Sequence, residues 1–232
     1  LAAADPRLNA HDLPVADRAP AWNDYVHRIA PAADTHIFLD AGAQPARAAF
    51  KALALALEAS PKAYAATGLP AGRLEIARRH YTERALAGEL YALRGATLAR
   101  LRAQRLFLPA GAASGEDILC YLLHTDLVGG DYDGWRERVC VAAGAYFEPA
   151  HAAGLDGLAR WRRALERAAR GRLQNELLVA RLKRSGVAAM PADISELYIA
   201  EDVSRLRPRM APPHLLFDTL ALVELRGARR QT

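Results

Sequence analysis

The chain has 232 residues, of which 52% are hydrophobic and 25% are charged, and its formal net charge is +5. This length predicts one large domain, or two small ones at most, and the composition excludes the fibrous, collagen-like and disordered classes. Only three of the 31 basic residues are lysines, and acidic residues are interspersed among most of the arginine runs. The charge therefore indicates solvated helix faces, and we expect no nucleic-acid partner.

Cysteine usage and hydropathy bear on the cellular compartment. Cys120 and Cys140 each lie among apolar neighbours, and neither has the closely spaced second cysteine of a metal site. Such cysteines are typical of buried thiols in a reducing compartment. No apolar run reaches the roughly 18 residues that a membrane span needs, and the amino terminus has no signal-peptide layout. We therefore expect a cytoplasmic protein without a membrane partner.

Residues 1–35 are rich in proline and predict an extended N-terminal arm. Within this arm Trp22, Tyr25 and Ile29 fall at helical spacing, which predicts one short helix. Residues 36–39 form the only strand-like stretch of the chain, and they are too short and solitary to support a sheet.

From residue 45 onward the apolar residues follow a helical period, and proline or glycine breaks divide the pattern into segments. Helices are predicted at about 45–59, 71–106, 114–127, 135–147 and 155–184, from Asp193 onward, and at 212–225. The predicted fold class is all-α. We expect a single irregular multi-helix bundle of about seven helices over residues 36–232, behind the N-terminal arm.

Most standard catalytic motifs are missing. The chain contains no glycine-rich phosphate loop, no nucleophile elbow of the GxSxG type and no HExxH zinc motif. Hydrolases of the common folds and nucleotide-dependent enzymes are therefore disfavoured. The remaining candidates for chemistry are histidines and carboxylates on predicted helices.

His80 and Glu83 lie three residues apart on one face of the predicted 71–106 helix. A carboxylate beside an imidazole on an inward helix face is how helical di-iron sites are built, and an inward histidine can act as an acid or base over haem. The alternative is a surface ion-pair ladder along a helix that is rich in arginine and glutamate.

Two further segments carry weaker signals. Glu148 and His151 have the Glu-x-x-His order of helical di-metal proteins, but Pro149 separates them and no second copy is present. His124 and Asp126 lead into a loop at 129–134 that is rich in glycine and aspartate, and this loop could close over a ligand. Helix-joining turns are the alternative for both segments.

His214 begins the last predicted helix, and Asp218 lies four residues later on the same face among apolar neighbours. A histidine whose second nitrogen is oriented by a carboxylate suits a metal or haem ligand. The alternative is a satisfied core histidine, or an exposed one at the start of the helix.

Residues 80–83 (HYTE) and 89–94 (ELYALR) resemble the helix that presents a distal histidine and then a Glu-Leu pair in the histidine-ligated haem-dependent aromatic oxygenases. This family is related to tryptophan dioxygenase and includes tyrosine hydroxylases of antibiotic biosynthesis. The chain departs from the pattern, because the glutamine after the histidine and the substrate motif rich in glycine and serine are absent. His214 and Asp218 are also similar to part of the ligand pattern of haem-oxygenase-like di-iron oxidases, although position 221 is alanine where that family has another histidine.

The resemblance implies an iron-dependent oxidoreductase, with haem as cofactor, that oxidises a small aromatic substrate such as an amino acid. It implies that His80 and Glu83 are catalytic, that His214 ligates the iron, and that Asp218 and His124 help to bind the cofactor. Two alternatives stay open, a di-iron oxidase and a non-enzymatic helical binding protein. The expected partner is a small-molecule substrate, and homo-oligomerisation is left open.

Overall fold

The computed structural model describes residues 5, 8–13, 16–149, 154–201, 203–212 and 214–228. Within these ranges the chain forms eight α-helices and five β-strands, besides short π and 3-10 segments. The helices are α1 (Arg18–Asp24), α2 (Ala49–Ala59), α3 (Leu74–Glu83), α4 (Gly95–Ala103), α5 (Gly115–His124), α6 (Gly154–Ser185), α7 (Glu196–Ala200) and α8 (His214–Ala228). The strands are β1 (Thr35–Leu39), β2 (Gln44–Pro45), β3 (Ala65–Pro70), β4 (Leu90–Arg94) and β5 (Val139–Glu148).

The five strands form one mixed sheet in the order β1-β4-β3-β5-β2. β4 is antiparallel to both β1 and β3, while β3 is parallel to β5 and β2 is antiparallel to β5. The register between β3 and β5 shifts between Thr67 and Leu69. Irregularities of this kind bend a strand locally, and the sheet is curled into a half-barrel.

The all-α prediction is wrong, because the chain is 52% helical and 14% strand and has a five-stranded sheet. The helix predicted over 71–106 is divided into α3, β4 and α4, and most of the helix predicted over 135–147 is β5. All six residues of β3 and the first four of β4 are buried. Strands that are covered on both faces lose the alternation that identifies a strand, and alanine and leucine favour helices locally. Pairing in the sheet overrides that local preference.

Several helices agree with the sequence analysis. α2, α5, α6 and α8 overlap the predicted segments closely, and α1 occupies part of the short helix predicted inside the proline-rich arm. Each of these helices packs an apolar face against the core, so its apolar residues recur in the sequence at the three- and four-residue spacing of a helix. None of the helices in the described ranges is both long and apolar enough to cross a membrane.

The sheet separates two hydrophobic cores. Leu90 and Ala92 of β4 face one core, which α2 covers, whereas Tyr91 and Leu93 face the other. Successive residues of a strand point to opposite faces of a sheet, so the two cores lie on its two sides. The second core is the larger one and includes buried residues of α1, α4, α5, α6 and α8. It joins the N-terminal helix and the C-terminal helices to the same face of the sheet.

Candidate active site

The predicted pairing of His80 with Glu83 is not formed among the described residues. His80 is 6% exposed, and its Nδ1 lies 2.9 Å from the carbonyl oxygen of Ala85. Glu83 is exposed and accepts a hydrogen bond from Arg79 Nε, one turn earlier on α3, at 2.6 Å. Glu83 is thus in an exposed ion pair on α3, as the alternative expects, whereas His80 is buried and contacts a carbonyl beyond the end of the helix.

His124 lies at the end of α5 and packs against the edge of Trp135, with ring centroids 5.1 Å apart. Its Nε2 lies 3.2 Å from the carbonyl oxygen of Arg84. Burial lowers the pKa of His124, although this carbonyl opposes the effect. A neutral imidazole is expected at physiological pH.

Asp126 does not face an open loop cavity. Its carboxylate accepts a hydrogen bond from the Tyr64 hydroxyl and forms ion pairs with Arg100, at 3.3 Å, and Arg138, at 3.1 Å. These contacts attach the loop after α5 to the sheet and to α4. The aspartate acts as a structural anchor for this loop.

His214 begins α8 and is partly exposed, whereas Asp218 makes its hydrogen bonds to other side chains. The Asp218 side chain is completely buried, and its carboxylate accepts hydrogen bonds from Arg209 Nη2 at 2.9 Å and from Arg172 Nη2 at 3.0 Å. These bonds connect α8 to α6 and to the segment before α8. Both carboxylate oxygens of Asp218 therefore accept hydrogen bonds from arginine side chains.

No set of three or more histidine, cysteine, aspartate or glutamate side chains is placed to hold a metal ion in the part of the chain that the structure describes. His151, from the weak Glu-x-x-His signal, lies outside the described residues. The assignment to all-α helical-bundle oxygenases is wrong in its fold. The structure gives no support for haem binding or oxygenase chemistry.

Two adjoining cavities lie along the edge of the sheet, and they share part of their walls. One has a volume of about 420 Å³ and four aromatic side chains in its lining, and the other has a volume of about 630 Å³ and five arginines in its lining. We call them the aromatic cavity and the arginine cavity. The residues that line both cavities are Arg18, Asp40, Gly88 and Glu116. A ligand that occupies both cavities would pass these four residues, so we call them the junction.

Asp40 reaches the junction because it directly follows β1. Its Oδ1 accepts a hydrogen bond from the backbone N–H of Gly42 at 3.0 Å, and its Oδ2 forms an ion pair with Arg18 of α1. The turn after the strand therefore holds this carboxylate at the sheet edge. Arg18 brings a positive charge from the N-terminal helix to the same point.

Glu116 lies in the first turn of α5, with Gly88 of the segment before β4 directly beside it. Burial raises the pKa of Glu116, and the Asp117 carboxylate acts in the same direction, while Arg18 opposes them. A carboxylate whose pKa is raised in this way at the wall of a cavity is a stronger base than an exposed carboxylate and is a candidate proton acceptor.

Gly88 provides the space that Glu116 occupies. A Cβ at position 88 would lie 2.9 Å from the carboxyl carbon of Glu116, closer than normal contact. We expect Gly88→Ala to displace the Glu116 carboxylate and to reduce any turnover that depends on this carboxylate by roughly 10²-fold, because small misplacements of a reacting group have effects of this size. Steady-state kinetics with a parallel thermal-unfolding measurement test this expectation. Unchanged turnover in a folded variant would contradict the placement of Glu116.

The arginine cavity has a wall formed by α6. Arg160, Arg163 and Arg167 line it and recur at three- and four-residue spacing, which places them on one side of the helix. Arg73 approaches from the sheet side. Five arginines and three carboxylates line the cavity in total, so positive charge is in excess. Guanidinium groups in such a wall suit an anionic ligand with several oxygens, phosphate above all.

Trp161 also lines the arginine cavity and is 51% exposed. Its ring meets the ring of Phe217 of α8 edge to face, with centroids 6.2 Å apart. This contact supports one side of the indole while the remainder stays accessible. The arginine cavity therefore combines guanidinium groups with an accessible aromatic ring.

The aromatic cavity is lined by residues of α1, β1 and β4. Phe38 of β1 stacks on Tyr91 of β4 with ring centroids 4.7 Å apart, and Trp22 stacks on Phe38 at 6.3 Å. Trp22 Nε1 donates a hydrogen bond to the Tyr91 hydroxyl at 2.9 Å. Tyr91 is buried, and burial raises its pKa. The cavity therefore has rigid aromatic walls that suit a flat or apolar group.

The sequence analysis missed the junction. A signal was available for Asp40, because a carboxylate that directly follows a strand-like stretch at 36–39 is placed at a sheet edge. Glu116 adjoins Asp117, whose carboxylate accepts a hydrogen bond from the Ser114 hydroxyl at 2.6 Å. The sequence predicts only a helix that begins at this segment. Nothing in local spacing relates Gly88 or the α6 arginines to either carboxylate.

Comparison with known proteins adds no relatives. No protein-family model, no curated protein and no solved structure has a significant match to this chain.

Proposed function

We propose that this chain is a transferase that moves a sugar from a diphosphate-activated donor to a hydroxyl group of an acceptor. The observation that carries the proposal is the junction, whose Glu116, with its raised pKa, lines the same cavity as Trp161 and the α6 arginines and also lines the aromatic cavity. A nucleoside diphosphate sugar, the donor we consider, has a planar base, a diphosphate and a sugar. The aromatic cavity suits the base, and the arginines and Trp161 of the arginine cavity suit the diphosphate and the sugar.

The arginines of α6 support the phosphate part of this assignment. Among the side chains that the structure describes, ion pairs are formed by the α6 residues Arg162, Arg170 and Arg172 but not by Arg73, Arg160 or Arg167, which line the arginine cavity. Guanidinium groups bind phosphate oxygens bidentately. They also stabilise the charge that develops on phosphate when it leaves. A glycine-rich phosphate loop is unnecessary in such a site.

Trp161 and the aromatic cavity support the rest of the donor. The accessible indole of Trp161 offers an apolar face against which the C–H groups of a sugar ring can pack, with polar groups close by. The walls formed by Trp22, Phe38 and Tyr91 suit the planar base of a nucleoside. We therefore assign nucleoside diphosphate sugars as the donor class.

The reaction needs one base and one charge-stabilising group. The Glu116 carboxylate takes the proton from the acceptor hydroxyl as its oxygen attacks the anomeric carbon of the sugar. The bond between that carbon and the phosphate oxygen breaks, and its electron pair stays with the diphosphate. The arginines hold the resulting charge. Asp40, ion-paired with Arg18, positions that arginine at the junction.

The test is an assay of nucleoside diphosphate release from a panel of nucleoside diphosphate sugars with hydroxyl acceptors. We expect turnover of at least one donor, and we expect Arg163→Ala to raise its KM about tenfold, because a charged contact to phosphate is lost. Arg162→Ala is the matched control, because Arg162 precedes Arg163 on α6, pairs with Glu166 and does not line the arginine cavity. Binding of donors without turnover would instead favour the binding-protein alternative. No binding of any donor would overturn the proposal.

A further inference from the structure

A further cavity, with a volume of about 630 Å³, lies beside α1, and we call it the α1 cavity. Pro20, Asn23 and Asp24 of α1 line it. Ala19 and Trp22, which line the aromatic cavity, lie on the opposite face of this helix. The α1 cavity is therefore separate from the junction, and none of the four junction residues lines it. Cavities of this size bind small molecules.

One wall of the α1 cavity is a stacked pair of rings. His27 and Phe107 lie face to face, with ring centroids 3.9 Å apart and planes 21° from parallel. Nε2 of His27 donates a hydrogen bond to the carbonyl oxygen of Leu106 at 2.9 Å, since a carbonyl oxygen only accepts. This bond fixes the imidazole ring. Phe107 is 46% exposed, so part of its ring is accessible to a second flat group.

The same cavity carries one positive charge in excess. Arg28, Arg105 and Asp24 line it, and Arg28 forms an ion pair with Asp24 at 2.7 Å. Among the side chains that the structure describes, Arg105 forms no such pair. Arg105 and Phe107 are both exposed and line the same space, so a guanidinium group and an accessible ring are presented together.

Two uncommon backbone conformations present these side chains. His27 and Arg28 belong to a π segment, Tyr25–Ile29, and π segments are rare and frequent at functional sites. Arg105 lies just beyond α4 with a φ of 51°, in the left-handed region that favours glycine at the end of a helix. An arginine is less favourable to folding than glycine at such a position. Backbone strain of this kind is concentrated at binding sites.

We propose that the α1 cavity binds a small aromatic carboxylate. The ring of the ligand stacks on Phe107, on the side away from His27, and its carboxylate pairs with the Arg105 guanidinium. One carboxylate matches the charge of this arginine, whereas a phosphate, with nearly two charges, would stay partly unbalanced. Met190 and Pro191 provide an apolar wall, and a thioether packs well against an aromatic ring. This inference goes beyond the transferase proposal and does not rest on it.

The test is calorimetric titration of the full chain with benzoate and with phenylacetate. Two further ligands separate the contributions, because benzyl alcohol lacks the charge and cyclohexanecarboxylate lacks the flat ring. We expect binding of an aromatic carboxylate, at least about tenfold weaker binding of the alcohol, and roughly threefold to tenfold weaker binding of the cyclohexane acid. Arg105→Gln should raise the Kd of the aromatic carboxylate about tenfold, and Phe107→Leu should raise it roughly threefold to tenfold.

Matched controls are available elsewhere on the surface. Arg47 is exposed and Phe50 is 45% exposed, and neither lines the α1 cavity. Arg47→Gln and Phe50→Leu should therefore leave the Kd unchanged. Arg105→Gly separates binding from folding, because glycine suits the left-handed backbone and should raise the temperature of unfolding. The same variant should bind the aromatic carboxylate as weakly as Arg105→Gln does.

Three results would overturn the inference. The first is no binding of either aromatic carboxylate at millimolar concentration. The second is an unchanged Kd in both Arg105→Gln and Arg105→Gly. The third is a Kd that Arg163→Ala raises and the Arg105 variants do not, because the ligand would then occupy the arginine cavity.

Discussion

Glu116→Gln should reduce sugar transfer by about 10²–10⁴-fold, the usual contribution of a general base. Glutamine has the same shape but cannot accept the proton of the acceptor hydroxyl. Donor binding should be retained, because the phosphate contacts come from the α6 arginines. The measurement is kcat from nucleoside diphosphate release, beside the donor Kd from calorimetry. Glu166→Gln is the control, because Glu166 lies on α6 in an exposed ion pair with Arg162 and should keep full activity.

The pH dependence of Glu116 gives two further readouts for the same variant. Since burial raises the pKa of Glu116, kcat of the unmodified chain should rise with pH through that raised value, as the carboxylate loses its proton. The same shift makes folding less favourable as pH rises from the unfolded to the folded pKa. Glu116→Gln should lose both dependences and should be more stable than the unmodified chain at neutral pH. Full activity in the variant would remove Glu116 from the mechanism.

Asp218→Asn should lower the free energy of unfolding by about 3 kcal/mol, the lower end of the range for breaking a buried ion pair. The carboxylate is completely buried and accepts hydrogen bonds from both Arg172 and Arg209. The substitution removes the negative charge that it supplies to both guanidinium groups, while Arg172 keeps its ion pair with Glu176. Both arginines are partly exposed, and water compensates for some of this loss. Urea unfolding measures the change. Glu224→Gln is the control, because its exposed pair with Arg170 should contribute less than about 1 kcal/mol.

The sign of the pH effect at Asp218 is opposite to that at Glu116. Burial raises the pKa of Asp218, but hydrogen bonds from Arg209 and the charges of Arg172 and Arg209 outweigh it, and the net pKa is lowered. Its contribution to stability is therefore present above the unfolded pKa and is lost as pH falls through the folded pKa. Asp218→Asn should flatten this acidic part of the stability curve. An unchanged curve would show that the buried pairs do not stabilise the contact between α6 and α8.

The helices could be predicted from the sequence, because a helix that covers a core keeps its period in the chain. α2 shows this with Leu53 and Leu57 on its buried side, and α6 with Leu177 and Leu178. The sheet could not be predicted by the same reasoning. Four of the five residues of β4 are buried, so apolar and polar residues do not alternate along this strand. The strand-like stretch at 36–39 belongs to β1, but the strand that pairs with it, β4, has no strand pattern in the sequence.

The site required the tertiary structure for a similar reason. Helical spacing places His80 with Glu83 and His214 with Asp218. The pattern of the α6 arginines is typical of a solvated face, and the absence of a phosphate loop disfavours nucleotide-dependent enzymes. A phosphate-binding wall can also be assembled from side chains of one helix that faces a cavity. Whether such a helix faces a cavity or bulk water is not encoded in its own spacing.

The sequence by itself determined a globular chain and the positions of α2, α5, α6 and α8, because composition and helical periodicity are local properties. Only the tertiary structure decided the mixed sheet and the junction. The four junction residues come from the start of α1, the end of β1, the segment before β4 and the start of α5, and they adjoin only after these elements have packed. Pairing between distant strands and burial between helices depend on contacts that no local window of the sequence contains.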